Sequence, residues 1–147
     1  MESPQGRDTA RAMSQENVEI VRRAYIALSS GDKDVLTELA SPDLVTDFSR
    51  RLVDPFVLRS RDEMIGFMDT ANETWDGWPV WEPQELIEAG DQVLAFIRFS
   101  AKGRTSGADV ETYVANLWTL SGDGKLIEVK YFGDDHEAAL EAAGLSE

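Results

Sequence analysis

Three features of the sequence predict an α+β fold. From Ala89 to Phe132, runs of Val, Ile, Phe, Tyr and Trp alternate with short turns rich in Gly and Asp, the pattern of a β-meander. The first half of the chain instead repeats apolar residues at helical spacing. The two patterns occupy separate stretches, which sets helices against a mostly antiparallel sheet.

Taken in order, residues 1–12 are polar, contain Pro4 and Gly6 and show no periodicity, so they read as a flexible tail ahead of a single domain over 13–147. Ser14 can cap a first helix, with Glu16 in its first turn. Val18, Val21, Tyr25 and Leu28 then form its apolar stripe, and Gly31 suits its end. Asp32 caps a short second helix carrying Val35, Leu36 and Leu39, which Ser41-Pro42 ends. Leu44 to Ser49 reads as a strand and Arg50 to Arg59 as irregular. Ser60-Arg61-Asp62-Glu63 is a capping box opening a third helix, which Asp76-Gly77-Trp78-Pro79 breaks. Trp81 to Ala89 is an edge strand, because Pro83 cannot donate to a central ladder. The meander strands are Gln92–Lys102, Asp109–Leu120 and Lys125–Phe132. Asp134 or Asp135 caps a final helix that Gly144 closes.

Composition narrows the function. The 147 residues suffice for one core, and 28 acidic against 14 basic residues give a formal net charge of −14. Such a chain repels phosphate backbones and anionic lipid, so nucleic-acid and membrane partners are not expected. The absence of cysteine excludes disulfides, thiolate catalysis and cysteine–zinc sites, and one histidine disfavours a histidine-based metal site. No apolar run approaches the ~20 residues of a membrane span, and no signal-peptide core is present, so a cytoplasmic protein is expected. Nucleotide, metal and flavin cofactors have no supporting motif.

Alternation along the meander suggests one apolar surface with a few embedded polar groups: Arg98, Asn116 and Tyr131. Phe96, Trp118 and Val129 would line it. Arg98 reads either as an ion-pair partner of Asp47 or Glu128, or as an anchor for a ligand anion. Asn116 is a core amide or an oxyanion donor. His136 reads as a surface residue at a helix start, or as a titratable group over the pocket mouth.

Several segments carry a family resemblance. They are Val21-Arg22-Arg23-Ala24-Tyr25-Ile26-Ala27-Leu28-Ser29-Ser30-Gly31-Asp32, Pro42-Asp43, Ala89-Gly90-Asp91-Gln92-Val93, Leu117-Trp118-Thr119-Leu120 with Gly122-Asp123-Gly124-Lys125, and Glu137 to Leu145. Together they resemble the SnoaL-like (polyketide cyclase-like) proteins of the nuclear transport factor 2-like superfamily, relatives of ketosteroid isomerase. The resemblance covers Met13 to the end. It implies a cone-shaped curved sheet whose pocket is closed by the three N-terminal helices, with a short C-terminal helix. It also implies a small apolar ligand and a homodimer joined through the outer sheet face, where Tyr113 and Leu117 fit.

The resemblance places the isomerase's oxyanion-binding acid at Asn116. Its catalytic tyrosine falls on Ala24, with Tyr25 one residue along and ~100° round the helix. Its general base falls on Phe48, next to Asp47, or on Asp54 if the segment carries an insertion. Arg98 resembles the arginine of limonene-epoxide-hydrolase-like members, although Ser100 stands where an acid would complete their triad. Two functions follow. One is a cofactor-independent isomerase, cyclase or hydrolase using Asp47 or Asp54 as base with Asn116 and Arg98 as stabilisers. The other is a dimeric binding module using the same cavity. A carboxylate inside the pocket separates them.

Overall fold

The computed structural model describes residues 4–145. Its elements are α1 (Pro4–Ser30), α2 (Lys33–Leu39), β1 (Ala40–Phe48), β2 (Phe56–Leu58), α3 (Arg61–Thr74), β3 (Val80–Ala89), β4 (Gln92–Lys102), β5 (Asp109–Leu120), β6 (Leu126–Gly133) and α4 (His136–Ala142). The six-stranded sheet runs β2-β1-β6-β5-β4-β3. Every neighbouring pair is antiparallel except β1 and β6. This is an α+β cone: a mixed, curved sheet, open rather than closed into a barrel, with the N-terminal helices against its concave face.

Local chemistry sets the helix ends. The Asp32 side chain accepts from Val35 N–H, Ser60 from Glu63 N–H, and Asp135 from Ala138 N–H. In the capping box of α3, Glu63 reaches back to the backbone N–H of Arg59 at 2.5 Å, one residue before the cap. Gly31 ends α1 at φ 72°, where a Cβ would lie 2.3 Å from the Trp78 ring. The left-handed turn and the tryptophan packed on it both require glycine there. Ser29 ties α1 to β3, its hydroxyl accepting from Trp81 N–H at 2.9 Å.

Two elements depart from the expectation. Residues 4–12, expected in a flexible tail, belong to α1. Pro4 opens the helix, where its missing N–H costs no bond, and Ala10, Arg11 and Ala12 are good helix formers; residues 1–3 lie outside the described residues. Phe56–Leu58, expected as irregular, is a strand that pairs Thr46, Asp47 and Phe48 with Leu58, Val57 and Phe56. Three residues are too few for alternation to declare a strand.

The two faces of the sheet are buried differently. On the concave face, Val21, Tyr25, Leu36, Met64 and Met68 pack against Val93, Ala95, Ile97, Trp118 and Val129. On the convex face, α4 covers Leu94, Ala115, Leu117 and Phe132 through Ala139. Strand β4 is therefore apolar on both sides over much of its length.

Candidate functional site at the wide end of the cone

Register decides which candidates meet. Val93 pairs with Trp118, Ala95 with Asn116 and Ile97 with Val114, so odd residues of β4 share the concave face with even residues of β5. Asn116 pairs with Tyr131 and Trp118 with Val129, which brings β6 into the same surface. Thr46 pairs with Val129, adding the Leu44, Thr46 and Phe48 side of β1.

At the narrow end, Asn116 Nδ2 and Trp118 Nε1 donate to the Tyr25 hydroxyl oxygen at 2.8 and 2.7 Å. The Tyr25 and Trp118 rings meet edge to face, 5.5 Å apart. Burial pushes the Tyr25 phenol far above the ordinary phenol range, against the lowering effect of the Trp118 and Asn116 hydrogen bonds. Amide and indole nitrogens only donate, so neither bond uses the hydroxyl proton. The slot that the resemblance gives to the isomerase tyrosine is apolar Ala24, while Tyr25, one residue along, meets the Asn116 amide. The helix carries both residues into the core, each fully buried.

Two buried atoms on this face have no hydrogen-bond partner, Asn116 Oδ1 and Thr46 Oγ1, in residues each 4% exposed. Buried oxygens are normally paired, and each unpaired one costs about 1–3 kcal/mol.

Towards the wide end the surface becomes aromatic. Phe48 is sandwiched between Phe56 at 4.9 Å and Tyr131 at 4.8 Å, both stacked, and Phe67 of α3 leans on Phe56 at 4.8 Å. Phe48, Phe56 and Tyr131 are half-buried, while Phe67 is 42% exposed. Burial raises the Tyr131 phenol, Arg51 opposes that shift and Asp134 adds to it. Thr46, Phe56 and Phe67 were not singled out from the sequence. Thr46 had a signal, since it lies two residues before Phe48 and alternation puts both on one face.

The other candidates lie elsewhere. Arg98 is on the convex face. Its guanidinium makes a forked bond to Glu111 at 2.9 and 3.1 Å and approaches Glu82 at 3.6 Å, so neither Asp47 nor Glu128 is its partner. The Glu111 hydrogen bond and charge hold Arg98 firmly protonated, and Arg98 in turn lowers Glu111. Phe96 is also convex, its ring 5.1 Å from that of His136. The grouping of Arg98 with Asn116 and Tyr131 is therefore corrected. Because α4 shields the Leu94 side of β4, hydrophobicity could not tell its two faces apart.

Asp47 alternates away from Thr46 and Phe48. It accepts from Ser49 N–H at 2.9 Å beside Lys130. Partial burial pushes its carboxyl upward, but the Ser49 hydrogen bonds and the charges of Lys130 and Arg59 outweigh that and lower it. Asp54 sits exposed in the loop between β1 and β2 at φ 50°. Neither carboxylate enters the concave face.

Leu117, expected on a dimer surface, is covered by α4 of its own chain, whereas Tyr113 is 51% exposed. His136 begins α4, with its ring against Phe96 on the convex face. One groove of about 340 Å³ lies on the convex side between Gln84, Phe96, Tyr113 and His136. Among the described residues, no group of three or more His, Cys, Asp or Glu is placed to hold a metal, and no helix is long and apolar enough to cross a membrane.

The sheet order, the helices on its concave side and the aromatic wide end define a class, the α+β cone of the nuclear transport factor 2-like kind. Residues 21–129 match the SnoaL-like domain, and the chain belongs to that family. Among solved structures, it is similar to Bal32a from a soil-derived mobile gene cassette, at 21% identity and TM-score 0.74 over 85% of this chain and 94% of that one. A SnoaL-like protein of Jannaschia sp. CCS1 aligns at 23% identity and TM-score 0.70, covering 90% and 94%. TerC, co-crystallised with polyporic acid, aligns at 19% identity and TM-score 0.69, covering 88% and 98%. No curated protein matches the chain.

Proposed function

We propose that this protein is a small-molecule-binding domain that takes a flat, largely apolar ligand at the wide end of the cone. The ligand's ring system lies along Phe48, Phe56 and Tyr131, and a polar group reaches inward: a hydroxyl to donate to Asn116 Oδ1, or a hydroxyl or carbonyl to meet the Thr46 hydroxyl. The observation that carries this reading is the pair of buried, unpartnered oxygens, Thr46 Oγ1 and Asn116 Oδ1, on the same face as the aromatic stack. An apolar wall with few orienting polar groups is what a small-molecule site requires. The fold's occurrence in TerC, co-crystallised with polyporic acid, supports including that compound among the first tested.

The binding reading is favoured over carboxylate catalysis by the position of the acids. A general base must come within ~3 Å of the proton it removes. Asp47 is engaged with Ser49 on the other side of β1, and Asp54 is in an exposed loop. We also propose that the domain works as a homodimer through the part of the convex face that α4 leaves uncovered, around Tyr113.

The test is a tryptophan-fluorescence titration of the full chain with polyporic acid, phenols, quinones and apolar ketones. Saturable binding that weakens in both Thr46→Val and Phe48→Leu is expected. Binding that ignores both substitutions would overturn the assignment of the site.

A further inference from the structure

The wide end of the cone carries a cation that the binding reading does not use. Of the chain's 14 basic residues, four lie between positions 50 and 61: Arg50, Arg51, Arg59 and Arg61. Three of these have their charge engaged. Arg50 pairs with Asp135 at 3.5 Å and lies over Phe132. Arg61 pairs with Asp62 and donates to the Thr37 carbonyl. Arg59 acts on Asp47.

Arg51 differs. Its guanidinium carbon stands 5.4 Å from the centroid of the Phe56 ring, at the edge of the aromatic stack. Its charge is felt at the Tyr131 phenol at the other end of the same stack. Among the described residues it has no carboxylate partner and no side-chain hydrogen bond, although acidic residues outnumber basic ones two to one.

We propose that Arg51 is a specificity-determining residue that selects aromatic ligands bearing an acidic group, a carboxylate, sulfonate or acidic phenolate, over their neutral counterparts. This rests on the binding reading above and names its substrate class. The chain's net charge of −14 disfavours every anion at long range, so an anionic ligand needs a local cation where its ring seats. A guanidinium over a phenyl face offers both halves of that recognition. Its ring contact holds the fork in place, and its unspent N–H donors meet the anion. A solvated arginine that served only solubility would not need a position on the rim of the aromatic stack.

The experiment compares two fluorescent probes, anilinonaphthalene sulfonate and the neutral phenylnaphthylamine that lacks only the sulfonate. Both are titrated into the full chain and into Arg51→Gln, Arg51→Lys and Phe56→Leu. Wild type is expected to favour the sulfonate by about two- to fivefold, the scale of one solvent-exposed charge pair. Arg51→Gln should erase that preference with the neutral probe unchanged, Arg51→Lys should retain most of it, and added salt should shrink it. Equal affinities in wild type, or a preference that survives Arg51→Gln, would overturn the assignment of Arg51. If the neutral probe fails to bind, or binds equally in Phe56→Leu, the wide end is not the site and the binding reading falls as well. A neutral probe weakened in Phe56→Leu but matched by the sulfonate in wild type removes Arg51 alone.

Discussion

Asn116 donates to the hydroxyl oxygen of Tyr25 at 2.8 Å across 91 residues of sequence, and Trp118 donates to the same oxygen from two positions along β5. One phenol thus gathers two donors from the centre of the sheet onto α1. Helix and sheet are joined here by a polar contact within an otherwise apolar part of the core. Tyr25→Phe keeps the ring but removes the acceptor, leaving the indole and amide N–H groups buried without partners. A loss of about 2–4 kcal/mol is expected from urea unfolding followed by tryptophan fluorescence. A loss below about 0.5 kcal/mol would show that the two donors find other acceptors.

The same phenol makes stability depend on alkaline pH. Tyr25 is held protonated in the folded protein well above the ordinary phenol value of 10.0, chiefly by burial. A raised folded pKa contributes stability that is fully present below the unfolded value and is lost as pH rises above it. From about pH 10 upward, stability should therefore fall by up to about 1.4 kcal/mol per pH unit from this residue alone. Tyr25→Phe should remove that component of the slope. An identical alkaline slope in the variant would assign the loss to other groups.

Thr46 separates the ligand-free from the ligand-bound protein. Its hydroxyl is buried without a partner, so Thr46→Val removes an unsatisfied group at nearly constant volume. The free protein should gain up to about 1 kcal/mol in thermal or urea unfolding. Affinity for a phenol or ketone that binds wild type should fall in the same variant. A gain in stability with unchanged affinity would make Thr46 a core residue only.

The sequence made most of the framework legible because its local signals agreed. The caps at Asp32 and Ser60 and the Gly- and Asp-rich turns around β4 to β6 each rest on short-range chemistry, and β4 and β5 begin and end where alternation placed them. Trp118, Val129, Tyr131 and Asn116 all lie on the expected face. The side of Arg98 was not legible. Its strand is apolar on both faces, and the decisive information lay in the register set across residues 103–108 and in α4 covering Leu94 from outside. The contact of Tyr25 with Asn116 depends on the path of α1 across the sheet, which no local pattern encodes. Strand β2 escaped because its Phe56 and Leu58 gain a face only by pairing with Phe48 and Thr46.

Asp47 provides a direct check on the chemistry. Its carboxylate is tied to Ser49 N–H and sits beside Lys130. Asp47→Asn should leave affinity for the site's ligand within about twofold, a difference under 0.5 kcal/mol. The acid side of the stability profile should change instead. A lowered carboxyl contributes stability above its unfolded pKa, and that contribution is lost as pH falls through the folded value, so wild type and variant should converge under acid. Any turnover that wild type shows and Asp47→Asn abolishes would restore this residue as a base and overturn the binding reading.

The proposed dimer rests on Tyr113. It is 51% exposed on the convex face, its hydroxyl donating to Glu111 beside the Arg98 fork, and α4 reaches Leu117 but leaves this part of the sheet open. An exposed aromatic flanked by a satisfied ion pair suits the centre of an interface, where tyrosine contributes area at small entropic cost. Sedimentation of wild type at micromolar concentration should give twice the chain mass, and Tyr113→Lys should shift it to the monomer. Because Tyr113 and the aromatic wide end lie on opposite faces of the sheet, ligand affinity should survive the substitution. A monomeric wild type would remove the dimer from the proposal, whereas a monomeric variant that also loses its ligand would mean that the two faces are coupled through β5.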